Sequence, residues 1–116
     1  MASRIRLKRV YDPPASDDGR RVLVDRLWPR GLTKAEAHVD LWLKEVAPSP
    51  ELRRWFGHQP ERWPEFHERY RAELRHNPAL ETLLEITADG PVTLLYAARD
   101  KDRNDAVVLA EVLERR

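Results

Sequence analysis

Hydrophobic and polar residues are arranged along the chain in patterns that predict several short strands. Apolar residues alternate with charged ones over 4–10, which is typical of a half-buried edge strand. The segment 21–27 is more apolar and predicts a second strand, and 92–98 is apolar on both faces, as a covered central strand should be. Residues 39–46 fit either a strand or a continued helix, and their alternation favours a strand. The pattern therefore predicts a sheet of about four strands.

Helix start signals recur between these strands, in front of segments with helical spacing. Two predicted helices cover 34–38 and 50–56. A third begins near Pro60 or Glu61 with Pro64 in its first turn, and a fourth follows Asn77-Pro78 and stops at Asp89. The last predicted helix covers the stretch after Asn104. Thr33 and Glu36 have the spacing of a capping box, and Ser49-Pro50 combines an N-cap with a first-turn proline. Together the elements predict an α/β fold, a single small three-layer domain over 1–116 with a short, mostly parallel sheet flanked by helices.

Composition and charge narrow the class of protein. The 116 residues suit one domain, and 35% charged residues with a mean hydropathy of −0.70 indicate a densely ionised surface. No apolar run approaches the roughly 18 residues of a membrane helix, and the N-terminus lacks the apolar centre of a secretory signal. We therefore expect a cytoplasmic protein without a membrane partner. The balance of 21 basic and 20 acidic residues argues against nucleic acid as a partner.

Two charged clusters follow the ends of predicted strands, where open α/β sheets bind their ligands. LVDRLWPRG at 23–31 supplies Asp25, Arg26, Trp28 and Arg30, and YAARDKDRND at 96–105 supplies Arg99, Asp100 and Asn104. If the two strands are parallel neighbours, Arg26, Arg30 and Arg99 converge on one edge of the sheet. Guanidinium groups and the free amides of a helix start bind carboxylate or phosphate. We therefore predict a pocket for a small anionic molecule, with nucleotides among the candidates.

The same residues also have a purely structural interpretation. Asp25 can pair with Arg26, and Asn104 can serve only as a helix cap. On this alternative the protein is a non-enzymatic interaction or regulatory module. Four tryptophans and three tyrosines also leave a homodimer open as an oligomeric state.

Signals for catalysis are weaker, and whether the protein is an enzyme stays open. Asp100 and His58 are the candidates for acid–base chemistry, His58 because its loop can turn toward the pocket. No two histidines have the i, i+4 spacing of a helical metal site, and no HExxH, GxSxG or glycine-rich nucleotide loop is present. The sequence therefore predicts neither a metal site nor a cofactor. The absence of cysteine excludes disulfides and a thiol nucleophile.

Five stretches of the sequence resemble a known family. RVYDP, RVLVDRLWPRGL, LWLKEVAPSPELRRWFGH, ERWPEF and VTLLYAARD are similar to the DUF488 family, in particular to its YeaO-like branch of small bacterial proteins. The resemblance runs from about Ile5 to Leu113 and implies a compact α/β fold and a cytoplasmic setting, without an established reaction. The motif positions that it carries over are Asp25, Arg26, Trp28, Pro29, Arg30, Trp55, His58, Tyr96, Arg99, Asp100 and Asn104.

The chain departs from this branch at one position of its last motif. Members of the branch typically have an Asn-His-Ala step, and this chain has Asn104-Asp105-Ala106. If the histidine serves catalysis, the resemblance implies that this chain is impaired. If it only occupies a helix start, Asp105 suits the positive end of the helix dipole at least as well.

Overall fold

Four strands and five α-helices lie within residues 5–115, which are the residues that the computed structural model describes. The strands are β1 Ile5–Arg9, β2 Arg20–Leu23, β3 Leu41–Trp42 and β4 Val92–Tyr96, and the helices are α1 Lys34–Ala37, α2 Pro50–Phe56, α3 Trp63–Leu74, α4 Ala79–Asp89 and α5 Asp105–Glu114. Single 3-10 turns cover Lys44–Val46 and Pro60–Arg62. Position 4 of the predicted first strand and position 116 of the predicted last helix lie outside the described residues.

The strands form one parallel sheet in the order β1-β4-β2-β3. Arg9 lies opposite Tyr96, and Leu23 lies opposite both Leu95 and Trp42. Because all four strands run the same way and end within a residue or two of each other, the segments that follow β2 and β4 leave the sheet at one edge. The predicted α/β class and the parallel sheet of four strands are confirmed.

Hydrophobic clusters cover both faces of the sheet, as the pattern of β4 predicts. All five residues of β4 are buried. Leu94 belongs to the larger cluster, to which α2, α3, α4 and α5 all contribute. The next residue, Leu95, belongs to a smaller cluster with Ala37 of α1, because successive side chains of a strand point to opposite faces. The layers are therefore unequal, with four helices on one face and a short helix with loop residues on the other.

Most helices begin where the sequence predicts them, because the start signals act locally. The exception is α3, which begins at Trp63 after the 3-10 turn Pro60–Arg62 rather than near Pro60 or Glu61. Thr33 Oγ1 accepts the N–H of Glu36 and the Glu36 carboxylate accepts the N–H of Thr33, which completes the capping box of α1. Ser49 caps α2 and Asn104 caps α5 through their side-chain oxygens. Pro64 lies in the first turn of α3, where its missing N–H removes no helical bond. Within residues 5–115 none of the helices is long and apolar enough to cross a membrane.

Two strands are shorter than the sequence pattern indicates. The structure ends β2 at Leu23 rather than at residue 27, and β4 at Tyr96 rather than at residue 98. The N–H of Ala97, which would continue the ladder from β4, instead donates to the Asp25 carboxylate at 2.9 Å. The Asp25 side chain therefore replaces a main-chain partner at the end of β4. Beyond this point the backbone segments that follow β2 and β4 separate from each other.

The segment 39–46 is a strand over only two of its residues. Leu41–Trp42 pairs with β2, and Lys44–Val46 then forms a 3-10 turn. Because β2 itself ends at Leu23, a longer strand would have no neighbour to pair with. The prediction of a strand is therefore right for β3 and wrong for the rest of the segment.

Candidate functional site

A pocket of about 370 Å³ lies at the edge of the sheet where the strands end, and we call it the strand-end pocket. Three segments supply most of its wall: residues 25–30 after β2, residues between 47 and 58 around α2, and residues between 97 and 105 ahead of α5. The loops after neighbouring parallel strands are the usual ligand address of an open α/β sheet. The strand ends thus meet at one cavity, as the sequence predicts.

Six of the eight predicted site residues line this pocket and two do not. Those in the wall are Asp25, Arg26, Trp28, Arg30, His58 and Asn104. Arg99 and Asp100, although they follow β4 directly, are not part of the wall. Arg99 is exposed, so the predicted meeting of three arginines holds for Arg26 and Arg30 only. Arg53 and Arg103, which sequence reasoning missed, line the pocket in its place.

The arginines of the wall differ in how they are held. Nε and Nη2 of half-buried Arg26 lie 3.4 Å from the carbonyl oxygens of Ala47 and Pro48, at the outer limit of a hydrogen bond. Arg30 and Arg53 are exposed. Within residues 5–115 no carboxylate lies within ion-pair distance of any of these three guanidinium groups. Three positive charges of the pocket therefore lack a protein counter-charge among the described residues.

Arg53 carries a weak sequence signal that could have found it. It lies one helical turn before Phe56 on α2, and residues three apart on a helix share a face. Phe56 also lines the pocket, so that face of α2 points to the cavity. The missing information is which face of α2 meets the sheet edge, and tertiary packing decides that.

The loop after β4 uses its polar groups to hold its own shape. Asp100 Oδ1 accepts the N–H groups of Asp102 and Arg103, and Asp100 Oδ2 accepts Arg103 Nη1 at 3.0 Å. These bonds lower the pKa of Asp100, the Asp102 N–H contributing most. Asn104 donates from Nδ2 to the Asp100 carbonyl and accepts the Val107 N–H at Oδ1. The groups that were expected to act on a ligand are thus engaged in the loop and the helix cap.

Indole and phenyl rings form the less polar walls. Trp28 Nε1 donates to the Leu32 carbonyl at 2.7 Å, and its ring meets Trp42 edge-on with centroids 5.4 Å apart. Phe56 and Phe66 stack on each other with centroids 4.4 Å apart. Because Trp28, Phe56 and Phe66 are packed against neighbouring rings, the apolar wall that they form is pre-formed.

His58 enters the wall in an unusual backbone conformation. Its φ is +57°, directly after Gly57 with φ +51°, so two successive residues are left-handed. A residue with a Cβ loses about 1–2 kcal/mol in this region. The side chain is exposed and its ring lies 6.2 Å from that of Phe56. This strain brings an imidazole to the rim of the pocket.

Two carboxyl groups meet in the pocket, a contact that sequence reasoning missed. Asp25 Oδ2 accepts the Ala97 N–H and Asp105 Oδ1 accepts the Ala106 N–H, each at 2.9 Å. Burial raises the pKa of Asp105 well above its usual value, and the negative charge of Asp25 and a hydrogen bond with the Asp25 side chain raise it further. We call Asp25 and Asp105 the carboxyl pair.

Buried Tyr70 of α3 lies close enough to the carboxyl pair to feel its charge. Its hydroxyl donates to the Val46 carbonyl at 2.6 Å. Burial raises the pKa of Tyr70, and the charges of Asp105 and Asp25 add to this effect. Its proton is therefore committed to the main chain. Among residues 5–115 no cluster of three or more side chains could hold a metal ion.

Comparisons with known proteins agree on one family. The model described as the inactive DUF488-N3 subclade matches residues 4–116. An uncharacterized protein of Mycobacterium tuberculosis is 48% identical over 114 residues, which cover 98% of this chain and 97% of the relative. The uncharacterized protein YeaO of Escherichia coli is 46% identical over 110 residues, or 94% of this chain and 96% of YeaO. No solved structure matches the chain. The chain belongs to the DUF488 family, within the subclade described as inactive DUF488-N3.

Proposed function

We propose that the strand-end pocket binds a small molecule through a phosphate or carboxylate group that contacts Arg26, Arg30 and Arg53. The observation that carries the proposal is that, in the part of the chain that the structure describes, none of these three guanidinium groups around one cavity forms an ion pair with a carboxylate. Arginines bind both anions in a two-pronged geometry, and like charges held together gain most from an anion between them.

The size and walls of the pocket suit this role. A volume of about 370 Å³ is within the range of small-molecule sites, which are mostly apolar with a few polar groups. Trp28 and the stacked pair of Phe56 and Phe66 supply the apolar part. Nucleotides, sugar phosphates and small carboxylic acids are therefore all candidate ligands.

We propose binding without turnover as the simplest form of this function. The chain matches a subclade described as inactive. Asp100, one of the two acid–base candidates, is engaged in a turn outside the wall of the pocket. Its lowered pKa also makes it a weak base. His58 lines the pocket and is a contact for the anion in this proposal rather than a proton carrier.

The experiment measures thermal unfolding and calorimetric binding with inorganic phosphate, sugar phosphates, mononucleotides and small carboxylates. A ligand at 100 times its Kd should add about 2.7 kcal/mol to the free energy of unfolding. Arg53→Ala should weaken the binding by about tenfold or more, because it removes a charge-assisted hydrogen bond. Its effect on the unliganded protein should stay within about 0.5 kcal/mol, since the side chain is exposed and unpaired.

Arg54→Ala is the matched control for this substitution. Arg54 is the next residue of α2, is equally exposed, and is not part of the pocket wall. An equal loss of affinity in both variants would mean that only the general charge of the protein attracts the anion. The alternative of a purely structural role predicts that none of these anions binds the unmodified protein.

A further inference from the structure

The strand-end pocket contains the carboxyl groups of Asp25 and Asp105 and the guanidinium groups of three arginines, and these carboxyls and arginines form no ion pairs with each other. Asp25 and Asp105 contact one another, and within residues 5–115 no lysine, arginine or histidine lies within ion-pair distance of either. Arg26, Arg30 and Arg53 line the same pocket and also lack a partner in that part of the chain. The segments that line the pocket supply both kinds of group, yet the fold keeps these guanidinium groups and the two carboxyls too far apart to form ion pairs.

Asp18, which is buried more deeply than half-buried Asp25 and Asp105, shows how the same protein treats a carboxylate elsewhere. Asp18 is 2% exposed and accepts bonds from Lys8 at 2.9 Å and Arg21 at 2.5 Å. Buried carboxylates ordinarily need such cations, because burial penalises the charged form. The carboxyl pair has none among residues 5–115, and the pKa of Asp105 is raised instead. A cation from outside the protein would complete it.

We propose that the ligand of the strand-end pocket is a zwitterion, whose phosphate or carboxylate contacts the arginines and whose primary ammonium group contacts both carboxyls of Asp25 and Asp105. This inference rests on the proposed function, because it uses the same pocket and the same arginines. The stacked rings of Phe56 and Phe66 in the wall can cover the short carbon chain that joins the two ends of such a molecule.

Binding of the ammonium group changes the protonation of the carboxyl pair. Tyr70, whose pKa is raised by burial and by the charges of Asp105 and Asp25, keeps its proton in the bond to the Val46 carbonyl. An ammonium group placed beside both carboxyls lowers the raised pKa of Asp105, so any proton that Asp105 holds passes to the solvent. Binding of a phosphate that carries an amine should therefore release more protons than binding of an alkyl phosphate without one.

The test compares phosphoethanolamine with 2-hydroxyethyl phosphate, which differ only by an amine in place of a hydroxyl. Titration calorimetry at pH 7 in two buffers of different ionisation enthalpy measures affinity and proton release together. We expect phosphoethanolamine to bind the unmodified protein at least about tenfold more tightly, the gain of a charge-assisted hydrogen bond. We also expect it to release up to one more proton.

Substitutions then assign both effects to the carboxyl pair. Asp105→Asn should abolish the proton release, and Asp25→Asn combined with Asp105→Asn should also abolish the preference for the amine. The preference is expressed for each variant as the ratio of its affinities for the two compounds, so that a change in the binding of the phosphate group itself cancels. Asp102→Asn is the control, since Asp102 lies in the same loop, is exposed and is not part of the wall; it should behave as the unmodified protein.

Equal affinities of the two compounds for the unmodified protein overturn this inference without the use of any variant. A preference for the amine that survives in the double variant overturns it as well. If the two compounds bind equally and Arg53→Ala weakens the binding of both, anion binding by the pocket is supported and the proposal of a zwitterionic ligand is wrong. If neither compound nor inorganic phosphate binds, both proposals are wrong.

Discussion

Asp18 shows how much a single residue can contribute when its charge is both buried and paired. Its carboxylate accepts bonds from the Ala15 N–H, from Lys8 and from Arg21. Burial alone would raise its pKa, but these bonds together lower the pKa to about 2. A carboxylate with a lowered pKa stabilises the fold above its ordinary pKa, and this contribution is lost as the pH falls through about 2.

We predict that Asp18→Asn costs about 3–5 kcal/mol at pH 7, because it leaves Arg21 buried without its counter-charge. The gap between variant and unmodified protein should narrow by about 2 kcal/mol as the pH falls from 5 to 2, where Asp18 itself becomes protonated. Urea unfolding across this pH range measures both values. Asp17→Asn, which removes an exposed partner of Arg6, should leave the stability nearly unchanged, and an equal loss in both variants would contradict the prediction.

Single residues of the site were partly predictable from the sequence. Asp25, Arg26 and Arg30 follow a buried strand directly, so their place at the strand end follows from the pattern. Arg99 has the same sequence position after β4, yet its side chain is exposed and outside the pocket wall. The direction of a side chain in a loop depends on the local turn, which the bonds of Asp100 determine here.

Elements of this fold are stabilised by side chains that join them at their ends. Ser49 Oγ accepts the Leu52 N–H and donates to Glu73 Oε2 at 2.6 Å, while its N–H donates to Glu73 Oε1. The start of α2 is thus both capped and fastened to α3. Thr33 also caps its helix, α1, but it is exposed and its partner Glu36 belongs to α1 itself.

We predict that Ser49→Ala destabilises the protein by about 2 kcal/mol, the sum of a lost cap and a lost bond to a charged group. Thr33→Ala should cost only about 0.5–1 kcal/mol, because its cap is exposed and serves a helix of four residues. Chemical denaturation of the two variants side by side tests this. Equal losses would show that the contact between Ser49 and Glu73 adds nothing to the cap.

At the scale of the whole molecule, the sheet order places stability and ligand binding in different regions. β4 pairs with β1 on one side and β2 on the other, and every residue in it is buried. The pocket, by contrast, is built from segments beyond the strand ends. The rigid centre of the fold therefore carries loops that can differ in sequence without loss of the sheet.

We predict that amides of β4 exchange with solvent only by global unfolding, whereas those of 24–31 and 97–104 exchange through local opening. β1 should lie between, since it has one strand neighbour and its Leu7 is 36% exposed. Hydrogen exchange followed by mass spectrometry measures all three regions. A bound ligand should slow exchange in the two loops and leave β4 unchanged; equal protection of β1 and β4 without ligand would contradict this ranking.

The sequence alone determined the class of the fold, most of the helix starts and the presence of charged groups at two strand ends, because periodicity, caps and proline act over a few neighbouring residues. Tertiary structure alone decided that β2 ends at Leu23, that Arg53 replaces Arg99 in the wall, and that Asp25 contacts Asp105. Those contacts join segments far apart in the chain, whose distance depends on strand order and helix packing. A local pattern carries no information on either, so the pairing of two carboxyls in one pocket became visible only in the folded molecule.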